Sequence, residues 1–170
     1  LIESYNDSQL YRKTIEMQRY RFGQGEYKYF QYPLPEVIQK LRSIFYPPLS
    51  VIANEWASHL NTGFSYPADH DQFLLMCKEK SQTLPTPLIL RYERGGFNTL
   101  HQDLYGEIYF PFQVVIVLNQ AGVDFSGGEF VMTEQIPRAQ SKVMVIQPNQ
   151  GEAVVFTTHS RPIKGTRGYY

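Results

Sequence analysis

The sequence changes character at Pro85-Thr86-Pro87. Beyond this point, short apolar runs alternate with turns rich in glycine and proline, a pattern that predicts strands. We expect strands at 88–92, 97–102, 112–118, 129–133, 142–146 and 153–157. Because 112–118 is continuously apolar, we expect it to be buried on both faces of a sheet. Many short strands at this spacing are typical of a sandwich or jelly roll.

The first 84 residues are predicted to be mainly helical. Amphipathic patterns predict helices over 7–21, 35–45, 49–60 and 67–80. Gly23 and Gly25 would end the first helix, and Pro47-Pro48 would end the second. Trp56 would anchor the helices to a sheet, and Cys77 would be a small buried apolar residue.

The predicted fold is therefore mainly β with N-terminal helices, in a single domain over 1–170. A helical support region, 1–84, would pack on one sheet of a double-stranded β-helix (jelly-roll) core, 85–170. The sequence stops inside a strand-like run, so we expect this core to be incomplete at Tyr170.

Overall composition excludes a general attraction to nucleic acid. Sixteen basic residues balance sixteen acidic ones, so nucleic-acid binding would require a local basic patch. A single cysteine cannot form an internal disulfide, which favours a reducing cytoplasm. No apolar run reaches membrane-spanning length. The oligomeric state is left open.

One constellation carries chemistry: the triplet His101-Gln102-Asp103 and the lone late His159. In a strand, His101 and Asp103 would share a face and Gln102 would point away. Two imidazoles and one carboxylate can bind one face of an octahedral Fe(II), leaving the other face for a cosubstrate and dioxygen. Such a triplet also arises by chance. The alternative is a metal-free jelly-roll binding module in which His101 bonds to Asp103.

Arg167 follows His159 in the same tail. A guanidinium binds a carboxylate through two parallel hydrogen bonds, so Arg167 could hold the distal carboxylate of 2-oxoglutarate. A solvated arginine beside Arg161 and Lys164 is the alternative.

From residue 88 onwards the sequence resembles the Fe(II)/2-oxoglutarate-dependent dioxygenases. Arg91-Tyr92-x-x-Gly95 and Leu100-His101-Gln102-Asp103 are similar to the segment entering the active site of AlkB-type enzymes, which oxidatively demethylate alkylated nucleobases. Leu90 stands where those enzymes usually have asparagine. The Gly127-Gly128 turn is more similar to prolyl-hydroxylase-type members. The whole chain also resembles a bacterial group of uncharacterised 2-oxoglutarate/Fe(II) oxygenases, assigned by analogy to repair of alkylated DNA; the shared segments are 32–35, 101–106, 127–130 and 161–168.

This resemblance implies Fe(II) held by His101, Asp103 and His159, with 2-oxoglutarate and dioxygen as cosubstrates. It also implies that Tyr92 contacts 2-oxoglutarate. In some AlkB-type enzymes the anchoring arginine lies farther from the distal histidine, at a position just beyond Tyr170. Either Arg167 or such a later residue would then be the anchor.

The substrate is open between alkylated DNA, single-stranded or duplex, and a protein (prolyl-type) or small molecule that would be hydroxylated. A base-demethylating enzyme must stack an extruded base and bind phosphates. Candidate stacking residues are Tyr105, Tyr109 and Phe110, each of which could equally be core. Candidate phosphate contacts, each of which could equally be a solvated cation, are Arg19, Arg21, Lys28, Arg94, Arg138 and Lys142.

Overall fold

The computed structural model describes residues 1–135, 139–166 and 168–169. Two α-helices stand among short strands and three 3₁₀ turns. The helices are α1 (Glu36–His59) and α2 (His70–Glu79). The strands are β1 (Tyr11–Glu16), β2 (Gly23–Gln24), β3 (Glu26–Phe30), β4 (Leu88–Arg91), β5 (Phe97–Asn98), β6 (Phe112–Ile116), β7 (Phe130–Glu134), β8 (Lys142–Ile146), β9 (Ala153–Thr157), β10 (Lys164–Gly165) and β11 (Gly168–Tyr169).

The predicted helix over 7–21 is wrong, because this segment is built around strand β1. Tyr11 and Ile15 are buried, and β1 pairs antiparallel with β3, placing Ile15 opposite Tyr27. β-branched and aromatic side chains favour a pleated, half-buried surface once a partner strand is present. With β4 on the other edge of β3, these strands form a three-stranded sheet. The region 1–84 is therefore helical only in part.

The two helices predicted over 35–45 and 49–60 are one continuous helix, α1. Pro47 and Pro48 lie inside it, although each removes a backbone donor. Both prolines are exposed, as are Ser43 and Ile44, the residues one turn earlier whose carbonyls lose their donors. Water can bind those carbonyls, so the helix continues past the prolines.

Helix α2 confirms the predicted helix over 67–80 with a shorter span. The Asp69 carboxylate accepts hydrogen bonds from the backbone N–H groups of Asp71 and Gln72, at 2.9 and 3.1 Å, which fixes the first turn. Cys77 is buried, as predicted.

Two apolar clusters form the core. One lies against the β1–β3–β4 sheet and the other between the helices and the segment before β6. The first contains Tyr5, Tyr11, Phe30 and Ile89; the second contains Tyr46, Phe73, Cys77 and Ile108. The predicted anchoring role of Trp56 is confirmed: its ring meets that of Phe112 on β6 with centroids 4.7 Å apart.

The C-terminal strands form antiparallel pairs. β6 pairs with β9, and β7 pairs with β8. The rings of Phe130 on β7 and Phe156 on β9 lie 4.9 Å apart and connect the two pairs. The predicted bounds of β8 and β9 are confirmed. β6 is only partly buried along its length, so its predicted burial on both faces is wrong.

The predicted mainly β architecture with helices is confirmed. Within the described ranges the strands form small separate antiparallel sheets, without a closed barrel. No helix in the described part of the chain combines the length and hydrophobicity needed to cross a membrane.

Candidate functional site

His101 and Asp103 lie in an irregular segment between β5 and β6, so the predicted strand over 97–102 ends early, at Asn98. The His101 ring is fixed by its Nδ1–H, which donates to the Thr99 carbonyl at 2.7 Å. This bond leaves the Nε2 lone pair free. Nε2 faces the Asp103 carboxylate, 3.6 Å from Oδ1.

Asp103 is oriented by strand β6. The side-chain amide of Gln113 donates to Asp103 Oδ2 at 3.1 Å. Oδ1, the oxygen nearer to His101, is left without a partner from β6. Two neighbouring groups therefore hold His101 and Asp103 so that one nitrogen and one oxygen converge.

His159 follows β9 and approaches the same region. The pairing of β6 with β9 sets Gln113 opposite Phe156, and the Thr158 N–H donates to the Pro111 carbonyl at 3.1 Å, extending this ladder. His159 Nδ1 lies 3.4 Å from Gln102 Nε2. The prediction that Gln102 points away is wrong, because the triplet is not a strand and strand alternation does not apply to it.

Two imidazoles and one carboxylate are donor types that bind Fe(II). Neighbouring ligands of an octahedral ion with bonds near 2.1 Å are separated by about 3 Å, somewhat less than the separation of His101 Nε2 from Asp103 Oδ1. Ligand imidazoles usually donate their second N–H to a carbonyl or carboxylate, as His101 does. Among the described residues, however, no three histidine, cysteine or acidic side chains stand close enough together to hold a metal.

To bind a metal through Nε2, His159 would need a different ring tautomer. With the Gln102 N–H donating to Nδ1, the ring proton of His159 lies on Nε2. A half-turn of the Gln102 amide, whose nitrogen and oxygen are nearly isosteric, would accept from an Nδ1–H instead. Nε2 would then be free to bind a metal.

The segment after the triplet carries Tyr105 and Tyr109 and is fixed by Gln82. Gln82 Oε1 accepts from the backbone N–H groups of Glu107 and Ile108, and its Nε2 donates to the Ile108 carbonyl. Both tyrosines are exposed, at 71% and 42%. The segment is therefore ordered without secondary structure, and its aromatic rings face solvent.

Phe110, by contrast, packs in the core. Its ring lies 5.0 Å from Tyr46 and 5.3 Å from Tyr66, centroid to centroid. These contacts favour the core-packing alternative for this residue.

Tyr92 packs against the backbone at Gly25, where an added Cβ would lie 2.7 Å from the tyrosine ring. Burial raises the pKa of the Tyr92 hydroxyl, partly offset by a hydrogen bond with Asn98. Its contact with 2-oxoglutarate stays a prediction. The other predicted cosubstrate residue, Arg167, lies outside the described residues, as does Arg138.

Some of the side chains predicted to contact phosphate are engaged in other interactions, and others are exposed. Lys28 does not fit this role, because its ammonium lies 4.0 Å from the centre of the Tyr5 ring and donates to the Tyr5 carbonyl. Arg19 is paired with Glu16 at 2.7 Å. Arg21, Arg94 and Lys142 are exposed.

Two residues that the sequence reasoning missed are Tyr27 and Tyr29 on β3. Their rings meet edge to face at 5.5 Å, and the Arg12 guanidinium lies 4.4 Å from the centre of the Tyr29 ring. Burial raises the pKa of Tyr27 to about 12, with Tyr29, Tyr105 and Asp103 also contributing. Burial likewise raises the pKa of the Tyr29 hydroxyl, and the Asp103 charge contributes there too. The alternation of tyrosines at 27 and 29 was the available signal.

Most of the chain matches one family of known proteins. A family model described as "Oxygenase, catalysing oxidative methylation of damaged DNA" matches residues 25–170. The chain therefore belongs to this family. The matched span includes His101, Asp103 and His159.

Two curated relatives come from Mycobacterium tuberculosis: Uncharacterized protein MT2286 of strain CDC 1551 / Oshkosh and Uncharacterized protein Rv2227 of strain ATCC 25618 / H37Rv. Each is 44% identical over 140 residues, covering 82% of this chain and 60% of the relative. The chain therefore spans less than two thirds of the length of these relatives. No solved structure matches the chain.

Proposed function

We propose that this protein is an Fe(II)- and 2-oxoglutarate-dependent dioxygenase that removes alkyl groups from nucleobases in DNA. One observation carries the proposal: His101 Nε2 and Asp103 Oδ1 converge at 3.6 Å while Thr99 and Gln113 hold the other ends of these side chains. Membership of an oxygenase family that acts on damaged DNA supports the reaction and the substrate.

In this proposal His101, Asp103 and His159 hold the iron. When bound, iron with 2-oxoglutarate supplies the oxidising chemistry: an N-methyl group, dioxygen and 2-oxoglutarate yield N–H, formaldehyde, succinate and carbon dioxide. One oxygen atom of dioxygen enters succinate and the other enters the methyl carbon, whose hemiaminal then releases formaldehyde. Tyr92 and Arg167 would contact the cosubstrate.

The surrounding residues would position the ligands and shape the cavity. Thr99 fixes the tautomer of His101, and Gln113 fixes the rotamer of Asp103. The rings of Tyr27 and Tyr29 would form one wall beside Asp103 and limit access of water. Tyr105 and Tyr109, exposed on the segment that Gln82 holds, could contact an extruded base.

We also propose a single domain over 1–170, with a double-stranded β-helix as its core. The pairs β6–β9 and β7–β8 would lie on its two sides, in contact through Phe130 and Phe156. Both candidate ligand segments flank the β6–β9 pair, which would make this pair the rigid support of the site.

The test is release of formaldehyde from a single-stranded oligonucleotide carrying N-methylated bases, supplied with Fe(II), 2-oxoglutarate and air. We expect His101→Ala, Asp103→Ala and His159→Ala each to abolish release. His70→Gln is the matched histidine control and should retain it. Succinate formation that never responds to methylated DNA would point instead to a protein or small-molecule hydroxylase. Formation of neither product by the folded parent protein would favour a metal-free binding module, and retention of both products in the three variants would overturn the assigned ligands.

A further inference from the structure

We propose that a corner formed by residues 16–24 and 91–100 around the β2–β5 pair, with most of its side chains exposed, docks single-stranded DNA and delivers it to the candidate metal centre. This inference rests on the proposed function for the identity of the substrate. It adds a surface beside the metal ligands and distinct from them, and half of that surface, residues 16–24, precedes the span matched by the family model.

The corner is fixed by close backbone pairing. β2 and β5 are antiparallel, with Gly23 opposite Asn98 and Gln24 opposite Phe97. The pairing continues to Thr99, whose N–H and hydroxyl both donate to the Phe22 carbonyl at 2.9 Å. Gly23 is required here, because a Cβ would lie 2.2 Å from the Phe97 carbonyl oxygen.

This corner presents aromatic rings to solvent. Tyr20 and Phe22 are stacked, with centroids 5.5 Å apart and planes 19° apart, and they are 53% and 42% exposed. Phe97 and Leu100 are 55% and 67% exposed. Large exposed apolar side chains grouped in this way mark an interaction surface.

The corner is also positively charged, although the chain as a whole is neutral. Segments 16–24 and 91–99 contain four arginines and two glutamates, a net charge of +2. The glutamates are engaged, Glu16 with Arg19 and Glu93 with Arg91. Arg21 and Arg94 therefore supply the excess charge, one at each end of the β2–β5 ladder.

Stacked aromatic rings flanked by arginines fit single-stranded nucleic acid better than a protein partner. Every base has a face that stacks on an aromatic ring, and each phosphate attracts a guanidinium. The surface also leads into the site: Phe22 holds Thr99, and the Thr99 carbonyl holds the His101 ring at 2.7 Å. A strand bound here would pass the exposed Leu100 and bring its next base to His101.

The experiment measures fluorescence anisotropy of a labelled twelve-nucleotide oligothymidine with the full chain, without iron, over a series of salt concentrations. In Tyr20→Leu/Phe22→Leu, we expect at least fivefold weaker binding for each stacked base that is lost. In Arg21→Asn/Arg94→Gln, the slope of log affinity against log salt should fall in magnitude by about 1.4, for two lost phosphate contacts. Asparagine suits the left-handed backbone at Arg21, where φ is 60°.

Matched controls are Tyr32→Leu and Lys40→Gln, an exposed tyrosine and an exposed cation elsewhere, which should bind as the parent does. Affinity and salt slope unchanged in both test pairs would overturn the proposal. So would DNA binding that is retained while Tyr20→Leu/Phe22→Leu abolishes self-association in sedimentation, because the corner would then be an interface between copies. If Tyr20→Leu/Phe22→Leu does not fold, the affinity and salt slope of Arg21→Asn/Arg94→Gln decide the test.

The two proposals fail in different ways. Demethylation of a free methylated nucleoside should be equal in the parent and in all these variants, because no docked strand is needed. If the parent releases formaldehyde from neither the methylated nucleoside nor the methylated oligonucleotide while the oligothymidine results hold, the proposed function falls and the docking surface stands. If the parent is active and the variants bind DNA normally, only the docking surface falls.

Discussion

Replacing Gln82 with methionine should loosen the segment that follows the candidate ligands. The substitution keeps the volume of the side chain but removes three hydrogen bonds of 2.7–2.9 Å, two to Ile108 and one to Glu107. Each such bond contributes about 1 kcal/mol net. Ile108 is only 7% exposed, so its unpaired N–H and carbonyl cannot be fully rehydrated. We expect the free energy of unfolding to fall by about 3 kcal/mol.

Urea denaturation, followed by the fluorescence of the single tryptophan, Trp56, measures this loss. The control is Gln147→Met, which removes one exposed hydrogen bond to the Gly127 carbonyl and should cost about 1 kcal/mol or less. A loss in Gln82→Met no larger than in the control would refute the reasoning. It would mean that the segment carrying Tyr105 and Tyr109 is held by other contacts, such as the Lys80–Glu107 ion pair.

Three further predictions concern separate parts of the molecule. Gly23→Ala should cost about 2 kcal/mol or more in urea denaturation, because φ is +134° and the new Cβ would meet the Phe97 carbonyl; an unchanged midpoint would contradict this. Burial and the Arg42 charge lower the pKa of His70, with Asp71 and Asp69 partly opposing. As pH falls, the unfolded chain therefore takes up this proton before the folded protein does. The free energy of unfolding should then decrease as pH falls from about 6.5, the ordinary histidine value, towards the lower folded value. In His70→Gln this decrease should be shallower, and equal curves of unfolding free energy against pH for the two proteins would contradict the prediction. Gln113→Leu should weaken Co(II) binding about 10- to 100-fold without changing the fold, since Asp103 loses its orienting donor; equal affinity would show that Gln113 does not orient the ligand.

The strands best predicted from sequence are those with clear turns at both ends. β8 and β9 flank the turn around Pro148 and Gly151, and each has a short apolar run whose limits match the structure. Helix α2 was likewise predicted from its apolar pattern, although it begins at His70, after the Asp69 cap, and not at residue 67. These signals are local, so the sequence alone could reveal them.

The errors arose where a distant partner decides local structure. The spacing of Leu10, Ile15 and Met17 also fits a helix, and only pairing with β3 makes this segment a strand. The prolines at 47 and 48 are tolerated because the exposed side of α1 can hydrate the unpaired carbonyls.

Parts of the candidate site were likewise beyond the reach of sequence reasoning. The candidate metal ligands were chosen from residue type, and the predicted strand alternation of their side chains was wrong, since the triplet lies outside β5. Gln113 could not have been predicted, because its contact with Asp103 depends on where the segment between β5 and β6 returns. Arg21 was a candidate phosphate contact and Tyr20 was not singled out. Only the β2–β5 pairing brings the segment that follows them together with the segment of Phe97.

The most direct test of the central claim is anaerobic addition of Fe(II) and 2-oxoglutarate to the protein, followed by visible absorption. We predict a weak charge-transfer band at one equivalent of each, lost in Asp103→Ala and retained in the control Asp124→Ala. A band that persists in Asp103→Ala, or no band in a folded protein that is extended to the full length of its relatives, would contradict the assignment of His101, Asp103 and His159 as the iron ligands.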